Sequence, residues 1–327
     1  MAVAQPSTAR NELVSNLLKG RARHVMITGT GVSLQSLDPK LPGSSVASWP
    51  GLLKHGVDYC KSRQLVSNGE TEIVHSLIHN GKTDDLIDAA QRIHGWLDKQ
   101  TSGRLLWIQD TIGRLRVHDP SLISAIQNLG VLIATLNYDN LICDVTKRPP
   151  LHWQQQNEID EHIRNESIDY ILHIHGHWRH PPSMVLDRTS YEEIRRDDRM
   201  QLLMCTFARF YHIVFIGCGS TLHDPNFDLL IQWCRKTLNG SNQRHFILCR
   251  NSDECGFRRD LSAYGFLEPL PYGDDYTDLV PFLQDLAKDS GARASTINPP
   301  VSAASPGSAA GASNIQKASD IWRLQIQ

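Results

Sequence analysis

Five short apolar runs punctuate the chain: His24 to Thr28, Val131 to Thr135, Tyr170 to Ile174, His212 to Ile216 and His245 to Cys249. Each is apolar on both faces, and a helical pattern or a long connection separates it from the next. Strands buried on both sides read this way, because an antiparallel strand with one wet face would alternate instead. The pattern predicts an α/β fold built on an open, mostly parallel, doubly wound sheet.

Between the first two runs lie about a hundred residues, far more than one crossover helix needs. Leu86, Ile87, Ala90, Ile93 and Leu97 recur at helical spacing after Thr83, which is placed to cap them. Asp119-Pro120 opens a second such stripe with Leu122, Ile123, Ile126 and Leu129. The reading is a helical module over about 49–128, inserted into a sheet domain spanning 1–290 and walling one side of a cleft. After Gly291 the composition changes, and Val301 to Ser313 is all Ala, Ser, Pro and Gly except for the valine, too little apolar area to order itself, so 291–313 reads as a flexible linker. Ile315, Ile321, Trp322, Leu324 and Ile326 then return in a terminal segment, 314–327, which reads either as a docking element for another protomer or partner or as a frayed end.

Composition narrows the function. The 327 residues carry 33 Lys+Arg against 35 Asp+Glu, a net charge of −2, which argues against a surface built for nucleic acid. Arg195, Arg196 and Arg199 sit among Glu192, Glu193, Asp197 and Asp198, and so read as a solvated helix face. Seven cysteines, an odd number without a CxxC pair, suit a reducing compartment and speak against a tetrathiolate zinc site. Met1 to Gly20 contains no signal-like apolar stretch, and no run reaches membrane-spanning length, so the expectation is a soluble cytoplasmic protein with idle sequons at Asn165 and Asn239.

Candidate chemistry gathers where strands end. The first runs into Gly29-Thr30-Gly31-Val32-Ser33, where glycines let backbone amides approach a pyrophosphate and Ser33 adds a hydroxyl; GxGxxG is not completed, because residue 34 is Leu. The second ends in Thr135-Leu136-Asn137-Tyr138-Asp139-Asn140, facing the crevice where open α/β sheets bind ligands; Asn and Asp there would equally serve to cap the next helix. The third closes on His173-Ile174-His175-Gly176-His177, where one functional histidine with two structural neighbours is a simpler account than a metal site. The fourth, Gly217-Cys218-Gly219-Ser220 followed by Asp224-Pro225, is a second glycine-rich loop on the same sheet edge.

Together GTGVS at 29–33, SWPGLL at 48–53, TLNYDNLI at 135–142, LHIHG at 172–176, VLDRTSY at 185–191 and FIGCGSTLHDPNF at 215–227 resemble the SIR2-like family. This is the zinc-less, sirtuin-related group of antiphage NADases and of animal proteins that assemble into filaments. The resemblance implies a Rossmann-like sheet that binds NAD+. Asn137 would position the nicotinamide ribose and the attacking water, and His175 would be the catalytic base. Gly29, Thr30, Gly31 and Ser33 match the phosphate loop, and Gly217, Cys218, Gly219 and Ser220 the loop near the adenosine ribose, with Thr135, Asp139 and Asp224 completing the cofactor site. True sirtuin deacetylases carry two CxxC pairs; their absence here points to water rather than acyl-lysine as the nucleophile.

The function expected is therefore metal-independent hydrolysis of the nicotinamide–ribose bond of NAD+, giving nicotinamide and ADP-ribose. It would be gated by homo-oligomerisation and would fit a role in antiviral defence. The alternatives are an NAD-binding assembly or filament protein with little turnover, and an NAD-dependent deacylase. Neither nucleic acid nor membrane is expected as a partner.

Overall fold

A computed structural model describes residues 8–41, 43–218, 231–232, 244–262 and 265–292. Seven parallel strands form one sheet: β1 (His24–Thr28), β2 (Leu132–Thr135), β3 (Pro150–His152), β4 (Ile171–His173), β5 (His212–Ile216), β6 (His245–Cys249) and β7 (Leu267–Pro271). Their order is β3-β4-β2-β1-β5-β6-β7. After β1 the chain lays β2, β3 and β4 on one side, with β4 between β2 and the edge strand β3, then crosses to β5 on the other, so the direction of winding reverses between β1 and β5. Such a switch opens a crevice at the carboxyl ends of the two strands.

Register places that crevice. Thr28 of β1 stands opposite Thr135 of β2 and Ile216 of β5, and Thr135 stands opposite His173 of β4. Four strands thus finish on one rung, and the chain leaves the sheet side by side at Gly29, Leu136, Ile174 and Gly217.

Period-two alternation sorts the strand side chains into two cores. Val25, Ile27, Leu132, Ala134, Leu172, Ile213 and Phe215 pack on one face. Met26, Ile133, Ile171, Val214 and Ile216 pack on the other. Burying one such side chain contributes about 1.5–3 kcal/mol, so the two layers dominate the fold's stability.

The long β1–β2 connection uses both faces. It begins with α2 (Thr30–Ser36), then α3 (Trp49–Ser62), α4 (Asn68–Asn80), α5 (Thr83–Leu97) and α6 (Gly103–Asp110), and ends with α7 (Ser121–Gln127). Helix α3 starts where Ser48 accepts a hydrogen bond from the Gly51 N–H and Pro50 occupies the first turn. Trp49, Leu52, Leu53, Ile93, Trp96 and Trp107 make α3, α5 and α6 part of the first core. The residues of α7, Leu122, Ile123 and Ile126, belong to the second. The stretch 49–128 is therefore not one lobe: α3 to α6 cover one face, and α7 crosses to the other, where it meets the α1 helix (Thr8–Lys19) and the last helix, Leu279–Asp289, in the same core. Thr83 is the first residue of α5 rather than its cap, which is Lys82.

Strands β3 and β7 lack the apolar signature of the others. Both are sheet edges, where one missing N–H goes unnoticed and proline is tolerated, as at Pro150, Pro269 and Pro271.

Gly176, just after β4, has φ +90°, and a Cβ there would lie 2.1 Å from the Ser183 carbonyl oxygen. Gly256, inside the helix Glu254–Asp260, would place a Cβ in open space. Gly176→Ala is accordingly expected to cost more than about 2 kcal/mol in urea unfolding, and Gly256→Ala to gain up to about 1 kcal/mol. Equal effects of the two would contradict the tight turn.

Candidate functional site

Asn137 stands two residues beyond the common rung, fixed from several sides. Its backbone N–H donates to Thr135 Oγ1 at 3.1 Å. Its side-chain Nδ2 donates to the Gly29 carbonyl at 2.9 Å and to Ser33 Oγ at 2.8 Å. The Ser33 hydroxyl passes the chain on, donating to Asp139 Oδ2 at 2.6 Å, while Asp139 Oδ1 accepts the Leu141 N–H at 3.0 Å. Residues far apart in sequence are thereby locked across β1 and β2 with all members buried. Both amide hydrogens of Asn137 are committed inside this network. What remains for a ligand is its amide oxygen, an acceptor.

Burial raises the pKa of Asp139 above the usual carboxylate value, and the bonds from Ser33 and Leu141 oppose that rise. Asp139 also does the capping work that its sequence position suggested, since Leu141 opens the helix α8 (Leu141–Thr146). The capping and binding readings of this residue are compatible, because its two oxygens take different partners.

The two glycine loops meet each other directly. Gly29 N–H donates to the Ile216 carbonyl and Gly31 N–H to the Gly217 carbonyl, both at 2.9 Å. A Cβ on Gly31 would fall 2.9 Å from Gly217 Cα, and one on Gly217, at φ +70°, would fall 2.7 Å from Val32 N. These glycines are required first for backbone-to-backbone packing across the switch point. The Gly29 and Gly31 amides assigned to a phosphate in the sequence reading are already engaged. Thr30, at the start of α2, lines the cavity beside them. Gly219, Ser220 and Asp224 lie outside the described residues.

The three histidines take separate roles. His173 is fully buried, and its Nδ1 lies 3.0 Å from the Asn137 carbonyl oxygen. Burial lowers its pKa to about 4, so at neutral pH it is uncharged and Nδ1–H donates to that carbonyl. Its Nε2 then accepts from the Cys143 thiol at 3.7 Å. His177, with its pKa lowered to about 2, mainly by burial, lies 3.1 Å from Asn140 Oδ1 through Nε2. His175 is also fully buried, with its ring centroid 6.5 Å from that of Tyr191. Its backbone carbonyl accepts the Val185 N–H at 2.9 Å, and the Val185 carbonyl accepts the Tyr138 hydroxyl at 2.6 Å. Val185 thus links the backbone of His175 to the Tyr138 side chain that follows Asn137.

Two cavities flank the glycine seam. A small one of about 20 Å³ is bounded by Gly29, Trp49, Leu136, Asn137, Asp139 and Cys218. A larger one of about 700 Å³ lies beyond the ends of β5, β6 and β7, with Gly31, Gly217, Arg250, Asp253 and Tyr276 in its wall. Arg250 Nε donates to Asp253 Oδ2 at 2.8 Å, and its guanidinium lies 4.5 Å from the Tyr276 ring centroid. The two cavities lie one on each side of the switch point. Arg250, Asp253 and Tyr276 escape the sequence reading, although Arg250 directly follows the strand 245–249 and the strand-end rule applied to Asn137 would have found it. Among the described residues, no group of three His, Cys, Asp or Glu side chains converges as metal ligands would.

Burial lowers the pKa of His173 from about 6.5 to about 4, so between these values the unfolded chain binds the proton and the folded one does not. The stability this histidine contributes is present above pH 6.5 and lost as pH falls toward 4, by about 3 kcal/mol. Urea unfolding at pH 7 and pH 4.5 is expected to show a smaller acid loss for His173→Asn than for wild type. An equal loss would place the proton elsewhere. The strand-end constellation agrees with the comparison to known families, in which a model described as a SIR2-like domain matches residues 131–270. That span runs from β2 through β7 and contains Asn137, His175 and the second glycine loop, so it is this part of the chain that is similar to SIR2-like domains.

Proposed function

We propose that the protein hydrolyses NAD+ at the bond between nicotinamide and ribose. The observation that carries this reading is the Asn137–Ser33–Asp139 network on the level ends of β1 and β2, beside a glycine seam at the switch point. SIR2-like domains are NAD-related, and the recess of about 700 Å³ beside the seam has room for one nucleotide half, while the small cavity by Asn137 takes only a protruding group.

In this reaction the C1′–N bond breaks with its electron pair leaving on the pyridine nitrogen, so a cationic ring departs neutral. Positive charge develops on the ribose as an oxocarbenium-like state, and water adds to C1′ and releases a proton. Buried Asp139 supplies a carboxylate close to that charge, in surroundings where water screens little. The Asn137 amide oxygen accepts from the attacking water or a ribose hydroxyl. His175 is the base of the scheme, since a neutral imidazole accepts a proton. It is fully buried, so the fold around it must open for it to reach the ribose.

Incubation of the purified protein with NAD+, resolved by chromatography, is expected to release nicotinamide and ADP-ribose. Asn137→Ala and His175→Ala should each lower the rate at least 100-fold (about 2.7 kcal/mol of barrier). Wild-type rates in both variants would remove the assigned roles, and absence of turnover would remove the reaction.

A second reading, an NAD-binding assembly protein with little turnover, is favoured by Leu202 and Phe210. These residues stand 69% and 59% exposed on the helix Asp198–Phe210. It predicts that light scattering rises on adding NAD+ while no nicotinamide appears. A constant particle size would count against it.

A further inference from the structure

The motif Ser48-Trp49-Pro50 places an aromatic side chain at the first turn of α3, and the structure brings it into the wall of the small cavity beside Asn137 and Asp139. Trp49 is 5% exposed, and its indole N–H is buried with no hydrogen-bond partner among the described residues. Buried donors are nearly always paired, because an unmade bond leaves the full desolvation penalty. An unpaired donor in the core of a helix bundle would be a packing cost. One in a cavity wall, 20 Å³ in size and adjoining the reacting end of the site, is a group held ready for an acceptor.

The size and lining of the cavity define that acceptor. About 20 Å³ admits one or two small polar atoms. An aromatic ring does not fit, but a carbonyl head group projecting from a ring at the mouth does. Leu52, Ile112, Leu136 and Tyr138 give the recess apolar walls, and Thr30, Ser48, Asn137 and Asp139 line it beside Trp49.

We propose that Trp49 is a substrate-binding residue whose indole N–H donates to the carboxamide oxygen of the nicotinamide ring. The proposal rests on the NAD+ reading above and extends it: the helical insertion, outside the matched domain, then supplies specificity for the leaving group. The geometry requires no movement of charge, since a neutral donor meets a neutral acceptor.

Trp49→Phe keeps an aromatic ring and deletes the donor together with part of the ring volume, a loss that the ADP-ribose control separates from the donor's effect. It is expected to raise KM for NAD+ about tenfold while leaving the Kd of ADP-ribose, which lacks nicotinamide, unchanged. In wild-type protein labelled with ¹⁵N-tryptophan, the Trp49 indole N–H resonance should shift on adding nicotinamide and stay in place with 3-methylpyridine, which has no carbonyl. This second arm needs no variant to fold. An equal affinity loss for NAD+ and ADP-ribose in Trp49→Phe, an unchanged KM, or an indole signal that treats the two pyridines alike would each overturn the proposal and leave NAD+ binding standing. Failure of wild type to bind either NAD+ or ADP-ribose would instead remove the NAD+ reading, and this proposal with it.

Discussion

The bond from Asn137 Nδ2 to the Gly29 carbonyl, continued through Ser33 to Asp139, is the tie on which the site depends. It joins the turn after β1 to the turn after β2 without a backbone ladder, beyond the point where the sheet ends. Because each member is buried, each must be satisfied, and satisfying one fixes the next. Register is the precondition: if β1 and β2 slipped by one residue, Thr28 would no longer face Thr135 and every strand side chain would change faces. The two hydrophobic cores therefore enforce the alignment that the polar network uses.

A second constraint comes from the glycine seam. Gly29, Gly31 and Gly217 bring two loops into backbone contact between β1 and β5, closer than any side chain would allow. A nucleotide bridging the crevice must lie over this seam rather than inside it. That separates the larger recess near Arg250 from the small one near Trp49. The first combines an ion pair with an aromatic face; the second is apolar, with a few buried polar atoms.

Much of this was legible in the residues themselves. Short runs such as HVMIT and HIVFI can be little else than buried parallel strands, and the polar residues following them mark the binding edge. Strands β3 and β7 were not legible, because sheet edges accept proline and short length, which weaken the signal in PLH and LEPLP. Nor was the division of the 49–128 stretch between two faces: the stripe of α7 looks like that of α5, and only tertiary packing decides which side of the sheet a helix covers. The glycines were located correctly by their position, yet their amides turn out to serve each other. Sequence shows that a position needs a small residue, whereas only the fold shows what approaches it.

The burial of His175 follows from the same economy of packing. Gly176 turns the chain under the Ser183 carbonyl, so the segment 183–186 lies directly against His175 and takes up its backbone carbonyl. The Tyr138 hydroxyl, reaching over from the Asn137 turn, closes that seam at Val185. A ligand entering beside Asn137 meets Tyr138 in the wall of its own cavity, and the same Tyr138 hydroxyl bonds the carbonyl of Val185, whose N–H bonds the His175 carbonyl. One chain of hydrogen bonds thus runs from the cavity wall to the backbone of the buried histidine, so the packing that buries His175 and the packing that shapes the cavity are parts of one structure.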